Sequence, residues 1–291
     1  MNYRHHFHAG NFADVMKHVL LVRLILALQK KEKGFLYLDT HAGRGSYDLS
    51  AAEKGDTLAR KPEFPDGIGR LWTSADAPPT ANAYLDLVRK FDADRGNTGA
   101  APKYYPGSPA IAQRLARPQD RLVLYERQPD EAELLDIEFG RAERVRVNAQ
   151  DGYGALRAAL PSAERRALVL VDPPFESQDE FARIAAAVGE GLARLSSAVI
   201  AIWYPLTERA RVDAFFAELL ALRLPPTLEV ELMIAGEQSA LKLKGCGLVV
   251  INPPWMFERE AEEILGWLAD GLAQEPGAGF RVRWLVAETR K

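Results

Sequence analysis

The feature that most constrains the fold is a regular alternation of apolar runs and helical segments from residue 105 onward. Apolar runs rich in leucine and β-branched residues are typical of strands covered on both faces. Strands and helices that alternate predict an α/β fold with an open, mostly parallel sheet and helices on both sides. The predicted strands are 121–126, 144–148, 167–172 and 198–203, and the predicted helices between them are 108–115, 129–139, 152–160 and 178–194.

The same pattern begins before residue 48 and continues irregularly after residue 226. Asn11 is a predicted helix N-cap, and apolar residues at helical spacing predict a helix that ends near Lys30–Lys33. A short strand, 35–39, and a glycine-bearing turn follow. Toward the other end, the sequence predicts two neighbouring strands, a helix and a last strand, at 228–234, 246–252, 257–272 and 280–286.

Residues 48–104 interrupt the alternation. They are rich in proline, glycine and aspartate, show helical patches at 68–72 and 83–91, and contain no convincing strand. The sequence therefore predicts a Rossmann-like domain formed by 1–47 and 105–291, with a small helical insertion subdomain at 48–104.

The composition indicates a soluble cytoplasmic protein. Hydrophobic residues make up 47% of the chain and charged residues 26%, which is ordinary for a globular domain. The longest apolar stretch, 19–28, is interrupted by Arg23 and is too short to span a membrane. A single cysteine, Cys246, excludes an internal disulfide and cysteine-based zinc sites.

Charge is uneven along the chain. The net charge is −3, yet residues 1–33 hold six lysines and arginines against two acidic residues, and all five histidines fall within the first 41 residues. A locally basic end suits either a polyanion bound at one place or a solvated basic tail.

The turn after the first predicted strand has glycines at positions 43 and 45, directly after Asp39. It lacks the third glycine of the dinucleotide fingerprint and the lysine of a Walker A loop. A short G-x-G after an acidic strand end is typical of S-adenosylmethionine sites, although a tight turn alone also explains the glycines. Gly43 is therefore a candidate cofactor contact.

Acidic residues also follow the next two strands. Glu126 is placed to accept hydrogen bonds from ribose hydroxyls, and Asp151-Gly152 is placed to bind an adenine amine. Each acid alone is better explained as an ordinary helix N-cap, but together they favour an adenosyl ligand.

The stretch "VLVDPPF" ends a predicted strand with Asp172, Pro173, Pro174 and Phe175. A carboxylate and a backbone carbonyl that accept the N–H bonds of a delocalised amine free its lone pair, and a carboxylate can take up the proton released. Prolines lack an N–H and fix φ, and an aromatic ring can stack on a base that has been turned out of its helix. This pattern indicates methyl transfer to an amine by direct in-line displacement.

A second copy of the pattern, "VVINPPW", places Asn252 and Trp255 after the predicted strand 246–252. It lacks a charged acceptor and lies far from the first strand in the expected topology. We therefore expect the copy at Asp172 to be the reactive one, and the copy at Asn252 to be a strand end followed by a packed tryptophan.

The motifs "YRHHFHAGNFADVMKH", "FLYLDTHAGRGSYDL", "YYPGSP" and "LVDPPFE" together resemble the RlmJ family, bacterial enzymes that methylate one adenine of 23S ribosomal RNA at N6. The resemblance implies a class I S-adenosylmethionine-dependent methyltransferase that releases S-adenosylhomocysteine. It also implies a monomer that acts on protein-free RNA.

The resemblance assigns roles to residues by position. It implies that Asp172 is catalytic, that Tyr3 contacts the RNA, and that Arg4, His5 and Lys17 contribute to the same surface. It implies the following cofactor contacts: His18, His41, Ser108, Glu126, Asp151 and Gly152. Asp172 is expected to contact the cofactor as well. Two positions depart from the family pattern, since many members have tyrosine at Phe175 and a small residue at Arg44. The histidines lack acid or cysteine partners at metal-binding spacing, so no metal is expected.

Two other functions remain compatible with the motifs. The same chemistry would methylate adenine in DNA or a glutamine amide in a protein, although the basic, aromatic N-terminus resembles the RNA enzymes. A protein of this fold could also bind RNA without catalysis.

Overall fold

The computed structural model describes residues 5–53 and 61–288, with the backbone only for residues 5, 6, 52 and 53. Within these ranges an eight-stranded sheet forms the centre of the molecule. Its strands are β1 (Leu36–Asp39), β4 (Arg121–Tyr125), β5 (Val145–Asn148), β6 (Ala167–Val171), β7 (Val199–Pro205), β8 (Thr227–Met233), β9 (Gly245–Ile251) and β10 (Gly279–Val286). Two further strands, β2 (Ser46–Asp48) and β3 (Tyr104–Pro106), pair with each other.

The strand order of the sheet is β10-β8-β9-β7-β6-β1-β4-β5. Strands β5, β4, β1, β6 and β7 are parallel, while β9 runs antiparallel to both β7 and β8, and β10 runs antiparallel to β8. The carboxyl ends of β1, β4, β5 and β6 therefore meet at one edge of the sheet, where open α/β sheets bind their ligands.

Helices cover both faces of the sheet. They are α1 (His5–His8), α2 (Phe12–Gln29), α3 (Leu49–Glu53), α4 (Ile68–Leu71), α5 (Pro79–Asp94), α6 (Ser108–Leu115), α7 (Pro129–Phe139), α8 (Ala155–Ala159), α9 (Glu180–Arg194), α10 (Arg209–Ala221) and α11 (Phe257–Leu272). Short 3₁₀ turns span Phe64–Asp66 and Gly152–Gly154. No helix in the described ranges is long and apolar enough to cross a membrane.

Two hydrophobic cores result, one on each face. Along β1, Tyr37 belongs to the core that contains residues of α2, α5, α6 and α11, whereas Leu36 and Leu38 belong to the core that contains residues of α8, α9 and α10. Successive strand side chains point to opposite faces, so a strand with no polar alternation can supply both cores. Helix α2 is buried along almost its whole length. Its N-terminal half lies beside the carboxyl edge of the sheet, where Lys17 contacts Asp172.

The predicted α/β class, the parallel arrangement and the pairing of the strands at 228–234 and 246–252 are confirmed. The expectation of no strand around 48–104 is wrong at its borders, because β2 and β3 bring the two ends of this stretch together. Helices α4 and α5 pack against α11, and α5 also packs against α2. The division of the chain into a domain and an insertion subdomain stays a prediction.

Candidate active site

A cavity of 570 Å³ lies at the carboxyl edge of the sheet, where the turns that follow β1, β4, β5 and β6 converge beside α2. The predicted catalytic residues and the cofactor candidates all line it: Asp172, Pro173, Pro174 and Phe175, together with His18, His41, Gly43, Ser108, Glu126, Asp151 and Gly152. Lys17 lines it as well. The structure thus brings together residues from six separate parts of the sequence.

Lys17 holds the carboxylate of Asp172. Its Nζ donates to Asp172 Oδ2 at 2.5 Å and to Asp14 Oδ1 at 2.7 Å, and the lysine is only 5% exposed. Burial alone would lower the pKa of Lys17, but the two carboxylates more than offset it, so the pKa is raised. Asp14 is fixed in turn, because its Oδ2 accepts a hydrogen bond from the backbone N–H of Gly10. Lys17 therefore stays charged and orients Asp172.

The ring of Phe175 is held by two other aromatic side chains. It lies 5.1 Å from the ring of Phe181 and edge-on to Trp203 at 5.7 Å, measured between centroids. Phe175 has φ +52°, a left-handed conformation that is unfavourable for a bulky residue. Strained backbone of this kind clusters at functional sites. Trp203, at the end of β7, also lines the cavity, and the sequence motifs did not point to it.

The carboxylate of Glu126 accepts hydrogen bonds from two backbone N–H groups, one of which lies in the glycine turn. The N–H of Gly43 donates to Glu126 Oε2 at 2.8 Å, and the N–H of Gln128 donates to Oε1 at 2.7 Å. Burial raises the pKa of Glu126. Gly43 has φ +58°, and a Cβ there would lie 2.5 Å from the hydroxyl of Tyr47. Each carboxylate oxygen keeps a second lone pair with which it can accept a hydroxyl of a ligand.

The turn after β5 lies against the turn after β1. A Cβ on Gly152 would lie 1.7 Å from the carbonyl oxygen of Thr40, so only glycine allows this approach. Asp151 accepts from the N–H of Tyr153 at 2.9 Å and from Arg183 Nη2 at 2.6 Å. It is thus a helix cap as well as a cavity-lining acid.

His41 follows the end of β1. Its Nδ1 lies 2.8 Å from Thr40 Oγ1, and its ring packs edge-on to Tyr153. Burial lowers the pKa of His41 to about 4, despite the nearby charge of Asp151. The imidazole is therefore neutral at physiological pH.

Two candidates are tied to buried neighbours. Nδ1 of His18 lies 2.9 Å from the hydroxyl of Tyr105. Ser108 donates its hydroxyl to Asp39 Oδ2 at 2.7 Å, and Tyr37 donates to the same oxygen. Burial raises the pKa of Asp39 to about 6, and the negative charge of Asp172 adds to the rise. Asp39 is completely buried, so it supports Ser108 from behind rather than lining the cavity.

Comparison with known proteins identifies the family to which the chain belongs. The family described as "Ribosomal RNA large subunit methyltransferase D, RlmJ" matches residues 32–286. The chain is 38% identical over 288 residues to ribosomal RNA large subunit methyltransferase J of Escherichia coli and to that of Haemophilus influenzae, and each alignment covers 99% of this chain and all of the relative. The chain belongs to the RlmJ family.

A crystal structure of a Legionella pneumophila protein has the same fold, with a TM-score of 0.84 at 33% identity; the match covers 95% of this chain and 98% of that one. The predicted class I methyltransferase fold, the S-adenosylmethionine cofactor and the ribosomal RNA methyltransferase activity are confirmed by membership of the RlmJ family. The roles of individual residues stay predictions.

Two positions were expected to depart from the RlmJ pattern, Arg44 and Phe175, and this stays a prediction. Arg44 pairs with Glu131 of α7, with Nε donating to Oε2 at 2.7 Å. Phe175 keeps the aromatic contacts described above without a hydroxyl. Phe175 lines the cavity, whereas Arg44 is not among the residues that line it.

The second diproline motif lies elsewhere. Because β9 is antiparallel to β7, Asn252 lies at the opposite edge of the sheet from Asp172. Its Nδ2 donates to the carbonyls of Ser196 and Ala198, both at 2.8 Å, so it joins two loops. The expectation of a packed tryptophan is wrong, since Trp255 is 80% exposed.

Three predicted RNA contacts are not placed. Tyr3 and Arg4 lie outside the described residues, and for His5 only the backbone, in α1, is described. Among the residues that the structure does describe, no group of three or more His, Cys, Asp or Glu side chains is arranged to hold a metal ion.

Proposed function

We propose that this protein transfers a methyl group from S-adenosylmethionine to the N6 amine of one adenine in 23S ribosomal RNA. The observation that carries the proposal is the meeting of Asp172-Pro173-Pro174-Phe175 with the Gly43 turn and Glu126 in one cavity. An amine acceptor and a nucleoside-binding edge in the same cavity suit a reaction between an adenosyl cofactor and an amine.

The cavity residues fit the cofactor. Glu126 retains lone pairs for ribose hydroxyls, and the glycines at 43 and 152 leave room for close approach of the ligand to the backbone. His18, His41, Ser108 and Asp151 complete the lining that would hold it. When bound, S-adenosylmethionine supplies an electrophilic methyl group and leaves as S-adenosylhomocysteine.

Asp172 has the role of amine acceptor in this proposal. Lys17 occupies Oδ2, which leaves Oδ1 to accept an N–H of the target amine. Proline fixes φ and so restricts the orientation of the adjacent backbone carbonyl. That carbonyl can accept the second N–H of the target amine. The ring of Phe175, fixed by Phe181 and Trp203, provides a surface on which the flipped adenine stacks.

We further propose that the RNA is protein-free, that the enzyme acts as a monomer in the cytoplasm, and that Tyr3, Arg4 and His5 contact the RNA. Resemblance to the RlmJ enzymes supports each of these points. Light scattering of the purified protein tests the monomer, and methylation of naked RNA against assembled subunits tests the state of the substrate.

The deciding experiment measures N6-methyladenosine by nucleoside mass spectrometry in naked 23S RNA transcripts incubated with the protein and S-adenosylmethionine. Duplex DNA and a glutamine peptide serve as competing substrates. We expect methylation of RNA by the wild-type protein and by Trp255→Ala, a control in the second motif, and none by Asp172→Ala. Full activity of Asp172→Ala, preference for DNA or peptide, or RNA binding without methyl transfer would each contradict the proposal.

A further inference from the structure

The amino-end edge of the parallel strands is strongly basic. Segments 30–33 and 164–166 precede β1 and β6, and segment 141–146 precedes β5 and includes its first two residues. Together the three segments hold eight lysines and arginines against three acidic residues. The whole chain holds 37 lysines and arginines against 40 acidic residues. Positive charge is therefore concentrated at this edge.

Backbone hydrogen bonds show that these segments are adjacent. The N–H of Leu36 donates to the carbonyl of Arg166, and the N–H of Leu122 donates to that of Arg144, both at 2.9 Å. Strands β6, β1, β4 and β5 are neighbours, and neighbouring strands lie about 4.8 Å apart, so the segments form a row roughly 15 Å long. We call its exposed lysines and arginines the basic edge: Lys30, Lys31, Lys33, Arg141, Arg144, Arg146 and Arg165.

Other cations nearby have structural partners. Arg117 and Arg166 donate to carbonyls at the end of α2 and just beyond it, and Arg121 pairs with Glu164. In contrast, no ion pair joins a member of the basic edge to a carboxylate within residues 5–53 and 61–288. Cations near helix C-termini stabilise the helix dipole, which accounts for Lys30 beside the end of α2. It does not account for Arg146, which lies within β5.

The basic edge is separate from the cavity. Lys17 lines the cavity and Lys31 follows the end of α2, so the two lie about 20 Å apart along the helix axis. The cavity lining contains eight aspartates and glutamates against three lysines and arginines. It therefore supplies little of the positive charge that a polyanionic substrate requires.

We propose that the basic edge binds the phosphate backbone of the RNA substrate, at a segment outside the one that enters the cavity. This inference rests on the proposed function, since it takes ribosomal RNA as the substrate. A folded RNA domain is larger than the distance between the two edges of the sheet, so one molecule can contact both. Contacts of this kind give affinity and orientation without reading sequence.

The test compares Arg144→Gln/Arg165→Gln with a matched control, Lys90→Gln/Arg259→Gln, which removes two exposed cations from α5 and α11. Affinities for a long 23S RNA domain and for the shortest hairpin that is still methylated are measured by fluorescence anisotropy over a series of salt concentrations. Each lost phosphate contact lowers the slope of log affinity against log salt by about 0.7 to 0.9.

For the Arg144/Arg165 variant we expect the slope on the long RNA to fall by about 1 to 2 and its affinity to fall several-fold. Hairpin affinity, hairpin methylation and the control variant should stay unchanged. The inference is overturned if the Arg144/Arg165 variant binds the long RNA as the control variant does, even if its thermal stability falls. It is also overturned if affinity for the hairpin falls as much as affinity for the long RNA. Binding to the long RNA is measured without turnover and does not depend on the methylated hairpin, so absence of methylation by the wild-type protein would count against the proposed function alone.

Discussion

The buried ion cluster of Lys17, Asp14 and Asp172 gives the sharpest prediction for stability. Lys17→Met removes the cation that lies 2.5 Å and 2.7 Å from two carboxylate oxygens, and the side chains of Lys17, Asp14 and Asp172 are 6%, 6% and 14% exposed. Removing one member of a buried ion pair leaves uncompensated charge and costs about 3–5 kcal/mol. That is a large part of a domain stability of roughly 5–15 kcal/mol.

The sign of the pH dependence follows from the raised pKa of Lys17. Its contribution is fully present below the ordinary lysine pKa of about 10.4 and is lost only as the pH rises through the folded value. Urea unfolding at neutral pH therefore measures the whole effect.

Arg23→Met serves as the control, because Arg23 lies on the same helix, pairs with the single carboxylate of Glu260, and has a side chain that is 15% exposed against 6% for Lys17. We expect a smaller loss there, and partial recovery of the Lys17→Met loss in the double variant Lys17→Met/Asp172→Asn. If Lys17→Met unfolds with a free energy within about 1 kcal/mol of the wild-type value, well below the expected cost, Lys17 does not compensate these carboxylates.

Three other predictions concern the cavity. Asp172→Asn keeps the shape of the side chain, and Lys17 keeps Asp14 as a partner, so we expect kcat to fall by about 10²- to 10⁴-fold while calorimetry shows little change in S-adenosylhomocysteine affinity. Gly152→Ala places a Cβ 1.7 Å from the Thr40 carbonyl oxygen. We expect it to lower the free energy of unfolding by about 1–3 kcal/mol or more, and to lower the affinity for the cofactor. A variant with wild-type values for both quantities would refute the close approach of the two turns. Burial lowers the pKa of His41 to about 4 and keeps the ring neutral. Its contribution to stability is therefore present above pH about 6.5 and is lost as the pH falls toward about 4. His41→Asn should flatten the dependence of the unfolding free energy on pH in that window, and an unchanged dependence would count against the burial of this ring.

The local sequence pattern was sufficient to predict most of the helices and strands. The predicted bounds of α6, α7 and α11 agree with the structure, because each has clear apolar spacing and an end marked by proline, glycine or a polar turn. Helix α10 is not among the predicted helices, although Val212, Phe215, Phe216 and Leu219 have helical spacing. Strands β2 and β3 have only three residues each, too few for alternation to be visible.

The residues of the site could be predicted from the sequence, but several of their contacts could not. The strand-end rule led to Glu126, Asp151 and Asp172 because it needs only the order of strands. The contact of Lys17 with Asp172 joins residues 155 positions apart and depends on how α2 packs, which no local pattern specifies. The place of Asn252 depends on the reversed direction of β9, since identical short motifs face opposite edges when their strands run in opposite directions.

The most direct test of the central claim is a crystal structure of the protein with S-adenosylhomocysteine. We predict that its ribose hydroxyls contact Glu126, that its adenine lies beside Asp151, and that its sulfur faces Asp172 across a space wide enough for an amine. An adenosyl group bound beside Asn252, or one bound in the cavity with its sulfur directed away from Asp172, would contradict the assignment.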